Sequence, residues 1–164
     1  SAMRVAPVGW FFDSLEETER VAKISAEVTH NHPEGIKGAQ ATAAAIWMAR
    51  NGKTKMEIRK YIQKKFGYDL GRRWKDLHES YAWDGSCQGT VPEAMISFLE
   101  SCNFEDAIRK AVCMGGDSDT LAAVTGSIAE AFYGGVPDYI TQPIIRTLPP
   151  QFLQVLADFS RYVH

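Results

Sequence analysis

The chain has 164 residues, of which 45% are hydrophobic, 11% aromatic and 23% charged, with a formal net charge of −2. That length favours a single domain, and the mixture is that of a globular protein rather than a disordered or fibrous one. The charge gives no electrostatic case for duplex nucleic acid, no apolar run approaches the roughly 18 residues of a membrane helix, and Ser1-Ala2-Met3-Arg4 carries no signal-peptide pattern.

The opening dozen residues, Ser1 to Phe12, contain Pro7 and Gly9 and read as an irregular, mostly buried segment. They are too apolar for a free terminus, which suggests a chain that starts inside something larger. Ser14-Leu15-Glu16-Glu17 is a capping-box pattern and predicts a helix to about Val28, ending before His30-Asn31-His32-Pro33. A second helix is predicted from about Glu34 to Arg50, stopped by Asn51-Gly52. Its middle, Gly38 to Ala45, is nearly all small, which lets other helices approach closely and places it inside a bundle. A third, from about Lys55 to Phe66, is cationic and amphipathic, its charges forming a solvated face.

Residues 67–91 show no clear period, and Tyr68, Trp74, Tyr81 and Trp83 give this long stretch aromatic anchors. Pro92 is expected to open a helix to about Ser101, and Asn103 to cap another over Phe104 to Met114. Gly115-Gly116-Asp117-Ser118-Asp119-Thr120 leads into a helix from Leu121 to Tyr133, closed by Gly134-Gly135-Val136-Pro137. A last helix is predicted from about Pro150 to Tyr162. No strand pattern and no repeat is visible, so residues 1–164 read as one all-α domain, a multi-helix bundle. Cys87, Cys102 and Cys113 are odd in number and form no Cys-x-x-Cys, indicating neither a zinc knuckle nor a disulfide framework. Free thiols suit a reducing compartment, and the expected location is cytoplasmic.

Asp117-Ser118-Asp119-Thr120 is the strongest chemical signal. Two carboxylates and a hydroxyl follow a Gly-Gly turn at a helix start, an oxygen-only set suited to hard cations. Capping of the following helix by Ser118 or Asp119 would explain the same residues. An EF-hand counted from Asp117 fails at Ala122 and Ile128, and a phosphate loop fails for want of a lysine. The second constellation is Thr29-His30-Asn31-His32-Pro33-Glu34-Gly35, whose histidines could meet a ligand or close a turn. Phosphate could also be held where loop N–H groups meet the helix start at Gly35.

These residues resemble the ADP-ribosylglycohydrolases, the family of dinitrogenase-reductase-activating glycohydrolases. Ser1-Ala2-Met3-Arg4-Val5 looks like the family's small-small-Met-Arg-Val segment, Thr29-His30 through Gly38-Ala39 like its histidine turn, and Gly115 through Thr120 like its metal motif. The resemblance implies an all-α orthogonal bundle that removes ADP-ribose from modified proteins or small molecules, using two Mg²⁺ or Mn²⁺ ions. It implies Asp117, Asp119 and Thr120 as metal ligands, the two aspartates as catalytic groups, and His30 as a substrate-binding residue. The family's other metal motif, Thr-Asp-Asp-Thr, does not occur in this chain. The chain therefore looks like the C-terminal portion of such a protein, lacking the N-terminal helices and inactive by itself. Self-association through the surface so uncovered is expected, with neither nucleic acid nor membrane as partner. The competing expectation is a non-catalytic ADP-ribose-binding remnant, or a structural partner of a second chain.

Overall fold

The computed structural model describes residues 1–163, and every regular element among them is helical. The opening segment is buried only at Ala2, Val5 and Gly9, with Met3 and Phe11 exposed, so it is neither mostly buried nor irregular. A 3₁₀ turn at Ala2–Arg4 leads into α1, Ala6–Phe11, and Pro7 sits in the first turn, where its missing N–H is harmless.

α2 (Leu15–Glu27) starts on Ser14, whose hydroxyl accepts the Glu17 N–H at 3.2 Å. The reciprocal half of the expected capping box is absent, because the Glu17 carboxylate is held by Arg20. α3 (Pro33–Arg50) is capped by the His32 ring, which accepts the Glu34 N–H at 3.2 Å. The full box occurs instead on α4 (Lys55–Phe66), where Thr54 and Glu57 cap each other's backbone.

α3 is the axis of the bundle and packs against α1, α2, α4, α6 and α8. Ala39, Ala41, Ala43, Ala44, Ala45 and Ile46 are fully buried, as its small-residue run requires. Where α3 crosses α6, a Cβ on Gly38 would lie 2.8 Å from the Cβ of Cys87, so only glycine permits this approach. The α4 charges are mostly solvated, with two exceptions. Lys65 pairs with buried Glu19 of α2, which also accepts from Tyr61 at 2.5 Å. Lys55 donates to the Phe98 carbonyl at 2.9 Å and to the Ser101 carbonyl, closing the C-terminal end of α6.

The stretch 67–91 is less irregular than its sequence suggests. It contains α5 (Trp74–Ser80) and the first turn of α6 (Cys87–Leu99). Ser86, not Pro92, marks the start of α6, its hydroxyl accepting the Gly89 N–H at 3.2 Å. Pro92 lies inside the helix, where it removes the backbone bond to Gln88, an exposed residue whose carbonyl can turn to water. α6 is buried from Thr90 to Leu99 and packs between α7 (Phe104–Cys113) and α8 (Ser118–Tyr133). The buried Thr125 hydroxyl of α8 donates to the Ala94 carbonyl of α6 at 2.9 Å. α9 (Asp138–Ile145) was not expected from sequence, and α10 (Pro150–Ser160) ends close to its expected limit. Neither contains a buried residue. All three cysteines are free, and no described helix is long and apolar enough to cross a membrane.

Candidate functional site

α3, α6 and α8 begin at the same end of the bundle, around a cleft of about 290 Å³. His32, Glu34 and Gly35 of the α3 start, Ser86 and Cys87 of the α6 start, and Asp117 and Thr120 of the α8 start all line it. Each helix N-terminus carries partial positive charge and first-turn N–H groups without intrahelical partners. Three such ends on one cleft favour negative charge there, although the His32 ring and the Ser86 hydroxyl already accept the Glu34 and Gly89 N–H groups.

The Ser1–Met3 turn completes the wall. Ser1 Oγ donates to the Gly35 carbonyl at 2.8 Å and lies 3.9 Å from Cys87 Sγ. The Thr120 hydroxyl donates to the Met3 thioether at 3.3 Å. The chain reaches Asp117 through two left-handed glycines, Gly115 at φ 80° and Gly116 at φ 60°. A Cβ on Gly116 would also stand 2.7 Å from the Tyr81 ring and 3.2 Å from Trp83 Cα, so conformation and space both demand glycine there.

His30, Asp117 and Thr120 line the cleft, whereas Asp119 is exposed and lies outside its wall. Asp119 is nonetheless tied to the turn. A hydrogen bond with Asp117, then the N–H groups of Thr120 and Asp119, hold its carboxyl below the usual carboxylate range. Asp117 occupies the cap position of α8 without a capping bond from its side chain. The cap position of α8 thus belongs to Asp117, not to Ser118 or Asp119, which lie in the first turn, and Asp117 also lines the cleft. The two histidines divide their tasks: His32 closes the α3 turn, and His30 stays exposed on the cleft.

Arg4 donates to Thr29 Oγ1 at 2.6 Å, which leaves the hydroxyl proton for His30 Nδ1, 2.7 Å away. That assigns the ring proton to Nε2, making it a donor toward a ligand. The positive charge of the Ser1 amino group, followed by partial burial and Arg4, lowers the His30 pKa and favours this neutral ring.

Asp117, Asp119 and Thr120 offer only oxygen, and two carboxyls in contact favour a cation between or beside them. Among the described residues, no group of three or more His, Cys, Asp or Glu is placed to hold a metal ion. The turn therefore fits a divalent ion in kind but supplies few of its ligands. Sequence reasoning missed the contribution of Ser86, Cys87 and Thr90. The Ser86 cap before an apolar run was their signal, obscured by Pro92.

The chain is 33% identical to an Archaeoglobus fulgidus protein over 153 residues, covering 84% of this chain and 50% of that one. It is 27% identical to the ADP-ribosylarginine hydrolase Tri1 of Pseudomonas putida over 163 residues, 96% of this chain and 41% of Tri1. It is 26% identical to human ADP-ribosylhydrolase ARH3 over 178 aligned residues, 81% of this chain and 49% of ARH3. The chain thus spans about half the length of these relatives. The ADP-ribosylglycohydrolase family model matches residues 1–162, and the chain belongs to that family.

Proposed function

We propose that this chain forms the phosphate-holding and acid-bearing part of a hydrolase that releases ADP-ribose from modified proteins or ADP-ribosyl small molecules. The observation that supports this most is the meeting of three helix N-termini with the Gly-Gly-Asp-Ser-Asp-Thr turn on one cleft. The N-termini of α3, α6 and α8 hold the pyrophosphate, and His30 Nε2 donates to a phosphate or ribose oxygen. Asp117 places negative charge beside the ribose, where an oxocarbenium-like transition state develops positive charge. Asp117, Asp119 and Thr120 would hold Mg²⁺ or Mn²⁺, which when bound orients ribose hydroxyls and a water and polarises them.

Mg²⁺ takes about six ligands and a pair of ions takes more, beyond what two carboxylates and a hydroxyl supply. We therefore place the remaining metal ligands outside these residues and expect the chain alone to bind ADP-ribose without turning over. The names of the Tri1 relatives point to arginine as acceptor, whereas the ARH3 names specify none.

Calorimetric titration with ADP-ribose, with and without Mg²⁺, tests the cleft. His30→Ala should weaken binding roughly tenfold while leaving thermal stability nearly unchanged. Release of ADP-ribose from a modified protein is then measured for this chain with and without the N-terminal half of a relative. Absence of ADP-ribose binding under every condition would refute the reading. A second reading, a non-catalytic ADP-ribose-binding module, is favoured by the short ligand set. It is adopted if binding occurs but the added half restores no turnover.

We also propose self-association, through a different surface from the one the sequence pointed to. α3 is buried along its small-residue run, and a run of exposed apolar residues lies instead at Phe152, Val155 and Leu156 of α10, with Tyr139 and Ile144 of α9. Sedimentation equilibrium should show concentration-dependent association that Leu156→Glu removes. A monomer at every concentration would count against it.

A further inference from the structure

Thr120, the third residue of α8, does not send its hydroxyl proton where helical hydroxyls commonly do. Inside a helix such a proton usually goes back to a carbonyl of the preceding turn. Thr18, Ser97 and Ser127 follow that habit, donating to the carbonyl four residues earlier at 2.9, 3.0 and 2.7 Å. For Thr120 that carbonyl would be Gly116, which stands before α8 at a left-handed φ of 60°. The Thr120 hydroxyl turns sideways instead and donates to Met3 Sδ at 3.3 Å. A thioether is a weak acceptor, so this is an unusual partner to choose. Met3 is 44% exposed, yet its backbone is pinned on both sides. Ala2 and Val5 are buried, Ser1 Oγ donates to the Gly35 carbonyl, and Arg4 donates to the Ser25 carbonyl at 2.7 Å. Met3, Asp117 and Thr120 all line the cleft.

We propose that Met3 is a positioning residue for the divalent ion of the Asp117–Thr120 turn, which rests on the metal site of the reading above. A hydroxyl has one proton and two acceptor lone pairs. It ligates a cation through a lone pair, and a proton aimed at the ion opposes that bond. With the proton held on Met3 Sδ, the lone pairs of Thr120 Oγ1 are left for the ion. Sulfur suits this task because hard cations take oxygen ligands, so Met3 accepts the proton without competing for the metal. A carbonyl or carboxylate in its place would accept the proton and also draw the ion to itself. A leucine would fill the space and release the proton to swing toward the ion. Met3 acts here only through Thr120, so its effect on the ion disappears where residue 120 has no hydroxyl.

The test uses the 164-residue chain, ¹⁵N-labelled and ¹³C-labelled at the methionine methyls, titrated separately with Mn²⁺ alone and with ADP-ribose alone. Mn²⁺, whose paramagnetic broadening reports even weak occupancy, should broaden the Asp117–Thr120 amides and the Met3 methyl saturably. Met3→Leu keeps the bulk, removes the acceptor and should weaken Mn²⁺ at least about threefold. It should leave the melting temperature and the ADP-ribose affinity measured without metal unchanged. Met3→Ala removes the same acceptor and keeps the test valid if Met3→Leu fails to fold. The deciding measurement is the double mutant. In a Thr120→Val background Met3→Leu should weaken Mn²⁺ no further. In a Thr120→Ser background, which keeps the hydroxyl, the loss should return. Additive losses of Met3→Leu and Thr120→Val overturn the proposal, as does an unchanged Mn²⁺ affinity in Met3→Leu. Absence of broadening at the turn overturns it too, and ADP-ribose shifts at His30 then leave the hydrolase reading standing without it. If Mn²⁺ behaves as expected and ADP-ribose does not bind, the Met3 role stands and the hydrolase reading falls.

Discussion

α6 and α10 are helices of similar length, 13 and 11 residues, and both are rich in apolar side chains, yet one is enclosed and the other lies open. α6 is buried from Thr90 to Leu99 between α3, α7 and α8. In α10, Phe152 is 54% exposed, Val155 64% and Leu156 55%. Local sequence makes both helical, and only tertiary contact makes one of them stable. A short helix without such contacts is marginal in water.

The largest expected effect comes from removing matched aromatic side chains. Phe98→Ala, in the core, should cost about 3–5 kcal/mol in denaturant unfolding. Phe152→Ala on α10 should change stability by less than about 0.5 kcal/mol. Similar costs at both positions would erase the contrast. Next in size is Lys55→Met, which leaves the carbonyls at the α6 end without their cation. Loss of these charged hydrogen bonds should cost about 1.5–3 kcal/mol by the same measurement. Hydrogen exchange sharpens the comparison without mutation. Amides of α3 and α6 should exchange only through global unfolding, and those of α9 and α10 through local opening, orders of magnitude sooner.

The smallest effect concerns pH. Glu130 of α8 is half-buried, and desolvation raises its pKa above the ordinary 4.5. The folded protein therefore keeps this proton longer than the unfolded chain. The group's contribution to stability falls as pH rises from about 4.5 through the raised value. Glu130→Gln should accordingly raise the melting temperature at pH 7, by an amount that shrinks toward pH 4. A gain that grows on acidification would contradict the sign.

The sequence made the local part of this architecture legible. Ser14, Asn51-Gly52, Gly67, Asn103 and Gly134 punctuate α2, α3, α4, α7 and α8 because caps act through neighbouring atoms. α5 and α9 escaped because each is short, 7 and 8 residues, and α9 carries Pro143 inside. The start of α6 escaped because proline is commonest in a first turn, and its tolerance at Pro92 depends on how exposed Gln88 is. At the site, the Gly-Gly-Asp-Ser-Asp-Thr turn and His30 were visible as motifs. That Ser86 and Ser1 meet them was not, since helices distant in sequence had to pack first. The resemblance singled out His30, but the role of His32 was not legible, because only the α3 geometry makes it a cap.

The contact between the Thr120 hydroxyl and the Met3 thioether joins residues 117 positions apart, and that between Ser1 and Cys87 joins residues 86 apart. Loops of that size close at an entropic cost that only the finished bundle offsets. The cleft therefore exists only once parts of the chain distant in sequence have come together. Any molecule that binds there recognises the complete bundle. Its binding energy is added to the stability of α1 through α8 together, so occupancy should raise their unfolding temperature as a unit. α9 and α10, which touch none of this closure, would open as before.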